Sequence, residues 1–224
     1  MEIYAVSDGT IRKSLGELER EGLIYGRRPV GMFVRNRRRY RVITGNGLPG
    51  FTPAYPSLTD QLLSFLASPD RPLTQTIDVQ AVPPPAEVAE RLAIKDELTV
   101  LRHRVMSAGR DPICIADAYY PERLVAGSDL VAPVIIDRGV LAVLDELGLR
   151  AERLVDEVYV RMPSPDESEA IGLQVGTPVM VQICTAYTAA AAPVSCWVSI
   201  LPGDQHILVS ERRREANEVA MLPA

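Results

Sequence analysis

The sequence predicts an α+β protein made of two unlike parts, a short basic helix–hairpin unit and an antiparallel sheet domain with flanking helices. Three observations predict it. Charge is divided along the chain: residues 1–41 hold ten Lys and Arg against five Asp and Glu, whereas the remainder holds 14 against 24. From Thr76 onward, runs of β-branched and apolar residues are joined by turn residues and short capped helices. Such connections build antiparallel pairs rather than parallel crossovers. Finally, 47% hydrophobic and 24% charged residues over 224 positions are enough to bury a core and exclude a disordered chain. The boundaries read from these features are a first unit at 1–35, a linker at 36–75, a sheet domain at 76–212 and a tail at 213–224.

The first unit opens at Ser7, whose side chain can cap free helix N–H groups, with Asp8 at the positive end of the dipole. Ile11, Leu15 and Leu18 make one apolar stripe, and Gly22 followed by Leu23 closes the helix as a left-handed cap. Leu23–Tyr25 and Met32–Val34 read as strands around a basic, glycine-bounded tip. The linker is rich in Arg, then in Gly, Pro, Ser and Thr, with a short helix near Leu58–Leu66.

In the second part, Pro84–Leu92 starts a helix. Leu98–Met106 and Ile113–Tyr120 form a hairpin through Gly109–Pro112. Asp137–Leu147 is helical and Arg153–Met162 extended, and Ser164-Pro165-Asp166-Glu167 is a capping box with proline at the first helical position. Val179–Tyr187 and Pro193–Leu201 make a last hairpin, with a strand near Ile207. Gln182 and Pro193 interrupt the most apolar stretch, which therefore reads as two strands and not a membrane span.

Cys114, Cys184 and Cys196 form no C-x-x-C pair and there are two histidines, so no metal site and no cofactor are expected. The sparse, odd cysteine count fits a reducing cytoplasm. His103 and His206 read as structural, and Cys196 and Trp197 as core. There is no Gly-rich phosphate loop and no recognisable catalytic nucleophile motif.

Two groups of residues could carry function. The first helix turns Thr10, Arg12, Lys13 and Gly16 away from its apolar stripe, which suits a major groove and its phosphates or, equally, a solvated face. Arg102 and Arg104 share one strand face and can fork around a carboxylate or phosphate, or bridge to surface acids. Glu157, Tyr159 and Arg161 likewise share a face, as a site or as a cross-strand ion pair.

The order Val6 to Leu15, Leu18 to Ile24 and Gly31 to Val34 resembles the second half of a GntR-family winged helix. That resemblance implies DNA contacts from Ser7, Thr10, Arg12 and Gly31, with Arg28 as a wing phosphate contact, and Lys13 on the same exposed helix face joins them. Asp8 departs from the usual basic residue and should alter affinity or operator choice. The family module is longer at its N-terminus than the five residues before Val6, so the expectation is a partial winged helix, from truncation or a late start.

Residues 76–210 resemble the UTRA ligand-sensing domain of the HutC subfamily, whose fold is similar to chorismate lyase. The resemblance is carried by Leu101–Val105, Asp111-Pro112, Ala118–Pro121, Glu157–Pro163, Gly176–Val179 and Asp204. It implies an effector site at Arg102, Arg104, Tyr119, Glu157 and Arg161. Acceptors that some UTRA proteins use for a sugar phosphate are replaced by Ala116, Ala118 and Ser195, which points to an anionic, less hydroxylated effector.

The resulting expectation is a bacterial repressor that is not an enzyme. It would be a homodimer binding operator DNA and a small effector, without a membrane. Two alternatives stand beside it: a truncated sensor acting through a partner, and an enzyme of the chorismate-lyase type.

Overall fold

In the computed structural model, residues 6–27, 29–34, 40–44, 72–109 and 111–210 are described. The chain divides into two compact units, 1–38 and 39–224.

The first unit contains α1 (Asp8–Arg20), β1 (Ile24–Arg27) and β2 (Gly31–Val34), the strands pairing antiparallel. Its caps are those the sequence predicts. Ser7 Oγ accepts from Thr10 N at 3.1 Å. At the other end Gly22 has φ +66°, and Leu23 N donates to Leu18 O at 2.8 Å. This left-handed closure suits a residue without a Cβ. The rings of Tyr25 and Phe33 stack at 5.7 Å across the hairpin. Ile24 is the one buried hydrophobic residue among those described here.

In the second unit the strands are β3 (Tyr40–Thr44), β4 (Leu73–Val82), β5 (Thr99–Ala108), β6 (Asp111–Pro121), β7 (Arg153–Arg161), β8 (Val179–Tyr187), β9 (Pro193–Pro202) and β10 (His206–Ser210). Six of them form an antiparallel sheet in the order β4-β5-β6-β9-β8-β7. Between them lie α2 (Ala86–Arg91), α3 (Glu122–Val125), a 3-10 turn at Asp129–Val131, α4 (Val140–Glu146) and α5 (Pro165–Ala170). The capping box at α5 is complete: Ser164 Oγ accepts from Glu167 N, and Glu167 Oε2 accepts from Ser164 N.

Period-two alternation sorts the strands onto two faces. One face packs Ile115, Tyr119, Val181, Ile183, Val198 and Ile200 against Val88 of α2, Leu92 at its end and Ile171 beyond α5. The other packs Val100, Ala118, Tyr120, Cys184 and Trp197 against Leu130 of the 3-10 turn and Val143 and Leu144 of α4. Trp197 Nε1 donates to Tyr120 Oη at 3.1 Å, so the buried aromatic pair keeps its polar atoms bonded. Met106, Ile113, Cys114 and Leu201 extend the apolar core along the sheet.

Three expectations are corrected. Tyr40–Thr44, read as linker, is a strand (β3), and it pairs in parallel with β10 (His206–Ser210) as a separate two-stranded sheet. Val42, Ile43 and Thr44 are strong strand formers, but the neighbouring arginine run and turn residues masked them. The main sheet also begins earlier than Thr76, at Leu73. The short helices α3 and the 3-10 turn were not predicted, because three- and four-residue helices carry no periodicity. The helix expected near Leu58–Leu66, Arg28 and the 213–224 tail lie outside the described residues.

Candidate functional site

On α1 the expected DNA-contact residues Ser7, Thr10, Arg12 and Lys13 are all exposed. The two hydroxyls bond each other at 2.9 Å as part of the cap. Arg20 pairs with Glu17, whereas Arg12 and Lys13 make no ion pair among the described residues. Two unneutralised cations one after the other on an exposed helix are free to meet phosphates. Gly31 sits at the base of the hairpin tip with φ +136°, a conformation only glycine adopts readily. The apolar stripe is not covered in this unit: Ile11 is 40% and Leu18 37% exposed.

In the sheet domain, Arg102 and Arg104 lie on one face, as predicted, but in different environments. Arg102 is buried, and its guanidinium donates to main-chain carbonyls of Asp129 (3.4 Å), Leu130 (2.9 Å), Ala132 (2.6 Å) and Val134 (2.8 Å). It therefore ties the 3-10 turn to the sheet. Arg138 extends the tie by bridging Asp129 at 2.7 Å and Glu146 of α4 at 2.8 Å.

Arg104 stands two residues along, at the start of a polar row. The register runs Arg104–Ala116–Ser199–Gln182 across β5, β6, β9 and β8, all four residues buried. Two small side chains thus lie between two long polar ones in this row. At its far end Gln182 Nε2 donates to Asp156 Oδ1 of β7 at 2.7 Å, and Gln182 Oε1 is buried without a partner. A buried, unbonded acceptor is costly unless something donates to it.

The other expected effector residues lie on the opposite face. Tyr119 pairs in register with Leu101 and Cys196 and packs in the core beneath α2, where burial pushes its phenol well up. Glu157 accepts from Arg91 of α2 at 2.6 and 3.0 Å, and that bond holds its carboxyl below the usual range. Arg161 grips Glu167 of α5 at 2.6 and 2.7 Å, which lowers the Glu167 carboxyl and anchors the capping box. Tyr159 reaches Glu87 at 3.3 Å. These residues clamp α2 and α5 to the sheet; they do not meet the two arginines. Arg91 and Glu157 also line an open cleft of about 400 Å³ with Tyr187, Ala93 and Ala191.

Sequence reasoning missed Asp156, Gln182 and Ser199. The signal for Gln182 was present: a lone amide inside the most apolar stretch of the chain. The three cysteines are buried, and burial pushes the Cys114 thiol up to about 12 and Cys196 to about 11. Such thiols are poor nucleophiles. His103 bonds Asp117 at 2.6 Å and His206 bonds the Pro202 carbonyl at 2.9 Å, both structural partners. Among the described residues no group of His, Cys, Asp and Glu could hold a metal ion, and no helix is long and apolar enough to cross a membrane.

The second unit thus carries helices on both faces of its six-stranded antiparallel sheet and a row of buried polar residues on one of them. The sequence model of the UTRA domain family matches residues 67–207, and the chain belongs to that family. It is 26% identical to the HTH-type transcriptional regulator Rv0792c of Mycobacterium tuberculosis, over 83% of this chain and 64% of that protein, so it spans less than two thirds of that relative's length. It is 23% identical to the HTH-type transcriptional regulator GgaR of Escherichia coli K12, over 94% of this chain and 78% of that one. The fold is similar to the crystal structure of PhnF from Mycobacterium smegmatis, with TM-score 0.60 and 17% identity over 96% of this chain and 88% of that one.

Proposed function

We propose that the chain is a GntR-type, HutC-like transcriptional repressor that binds operator DNA as a homodimer and is released or retuned by a small anionic effector. The UTRA match over residues 67–207 supports the reading, together with relatives aligned over most of the chain that are named HTH-type transcriptional regulators. DNA is met by Ser7 at the cap of α1, by Thr10, Arg12 and Lys13 of that helix, by Gly31, and by Arg28 as a phosphate contact. The effector lies over the sheet face that carries Arg104, with Gln182 and Asp156 at the far side. Tyr119, Glu157 and Arg161 support the opposite helices and are not effector contacts. The protein acts in the cytoplasm and catalyses nothing; absence of pyruvate release from chorismate is the matching assay.

Coupling requires the effector to favour one arrangement of the two DNA-binding units over another. Fluorescence anisotropy on DNA from upstream of its own gene, at two salt concentrations, tests the reading. Competitor-resistant binding that weakens steeply with salt is expected. Binding that ignores competitor would refute operator recognition.

A second reading has one observation behind it. The apolar stripe of α1 is uncovered, with no buried residue in the helix. A unit of this kind could act through a full-length relative that shares its dimer interface. Failure to shift DNA alone, with a shift restored by a co-expressed longer relative, would favour it.

A further inference from the structure

We infer that β7 docks a second copy of this chain, the two strands pairing antiparallel about a two-fold axis at Tyr159, so that Glu157 of each copy faces the partner's Arg161. The inference rests on the homodimer proposed above and names the surface that forms it. Among the described residues β7 closes one edge of the six-stranded sheet and pairs with β8 alone. Val160 is 65% exposed, Leu154 42%, Val158 39% and Tyr159 38%, with Met162 just beyond the strand also exposed. An edge strand of this length, apolar and with open main-chain N–H and C=O groups, is a template for another strand. The opposite edge is unlike it: the exposed residues of β4 are Thr74, Thr76, Asp78, Gln80 and Ala81.

The strand is complementary to itself, which is why the occupant is a second copy. A two-fold axis perpendicular to the sheet leaves every side chain on its own face and makes each cross-strand pair occur twice. With the axis at Tyr159, Glu157 lies against the partner's Arg161, and on the other face Val158 lies against the partner's Val160. Opposite charges and β-branched pairs directly across a ladder stabilise it, and like charges there repel. An axis at Glu157 sets Glu157 against itself and Arg153 against Arg161. An axis at Val158 or Val160 sets Glu157 against Tyr159 or Pro163 and forfeits both ion pairs. The charged side chains are within reach of a partner: Glu157 is 48% and Arg161 35% exposed, although each is bridged in its own chain, to Arg91 and to Glu167. A carboxylate and a guanidinium each serve more than one bond. The pairing therefore joins Arg91–Glu157 of one copy to Arg161–Glu167 of the other without breaking either bridge.

Oxidative cross-linking of cysteine substitutions in the full chain tests this, with sedimentation of each variant before oxidation. The three native cysteines are buried and stay out of the reaction. Tyr159→Cys sets two thiols on the axis with Cα atoms about 5 Å apart, inside disulfide range. Val158→Cys and Glu157→Cys set theirs about 8 and about 14 Å apart, outside it. Tyr159→Cys should therefore form a covalent dimer about tenfold faster than either neighbour, and the unsubstituted chain should form none. A mixture of Val158→Cys and Val160→Cys, which face each other in this register, should cross-link as a heterodimer; this second readout does not depend on altering Tyr159.

Faster cross-linking of Val158→Cys or Glu157→Cys alone would overturn the axis at Tyr159. A dimer in which neither Tyr159→Cys nor the Val158→Cys and Val160→Cys mixture cross-links would overturn β7 as the interface and leave the homodimer standing. A parent chain that sediments as a monomer at every concentration would remove the homodimer as well.

Discussion

Arg102 and Arg104 are two residues apart on one strand and do different work. Arg102 is an internal strut: four carbonyls of the Asp129–Val134 segment converge on its guanidinium. Arg102→Met would keep the packing volume of the stem but leave the buried Leu130 carbonyl, and the partly buried carbonyls around it, without this donor. A loss of about 3 kcal/mol in urea unfolding is expected, together with faster amide exchange near residue 130. A loss below about 0.5 kcal/mol would mean that the segment is held otherwise.

The two histidines should give stability opposite pH dependences. The hydrogen bond to Asp117, helped by that carboxylate's charge and by Asp78, raises the His103 pKa, so its contribution is complete below about pH 6.5 and fades as pH rises through the raised value. Burial lowers His206 to about 4; its neutral form stabilises the fold above about pH 6.5, and that contribution is lost as pH falls toward 4. Melting curves of His103→Gln and His206→Gln across this range should flatten on the alkaline and the acidic side respectively. Parallel curves for both variants and the parent would contradict these assignments.

At the scale of elements, capping decides how well short helices hold. The α2 helix ends on Ala93 with φ +51° while Ile94 N donates to Ala89 O at 3.1 Å, a left-handed closure made by a residue with a Cβ. The α1 helix uses Gly22 for the same geometry. Ala93→Gly should therefore stabilise by about 0.5–1 kcal/mol and Gly22→Ala destabilise by about 1 kcal/mol. Chemical denaturation of the two variants measures both signs in one experiment. Both termini of α1 and the α5 capping box were legible in the sequence, because caps are local chemistry. β3 was not, because its partner β10 lies far along the chain and only folding brings the two together.

At the scale of the molecule, the two charge regimes belong to two units. Arg12→Ala and Lys13→Ala should each weaken DNA binding and lower the salt slope by about one, as removal of one phosphate contact does. An unchanged slope would place the DNA elsewhere. The edge strand β7 ends the sheet with Val158 39% and Val160 65% exposed, and an exposed apolar edge invites a second chain. If the proposed homodimer forms through this edge, Val160→Lys should shift its sedimentation toward monomer; an unaltered sedimentation coefficient would point away from this edge.

The sequence alone determined the class of the fold, most strand and helix positions, the caps and the separation of a basic from an acidic part. These follow from periodicity, turn chemistry and charge, which are properties of neighbours along the chain. It also placed Arg102 and Arg104 on one face, since alternation requires it. Only the tertiary structure decided that Arg102 is held by carbonyls from a turn some thirty residues away, and that Tyr119, Glu157 and Arg161 stand on the far side of the sheet. It alone brought Gln182 and Asp156 opposite Arg104. The physical reason is that strand order is set by packing and pairing between distant segments, so which residues become neighbours across four strands is fixed only once that order is.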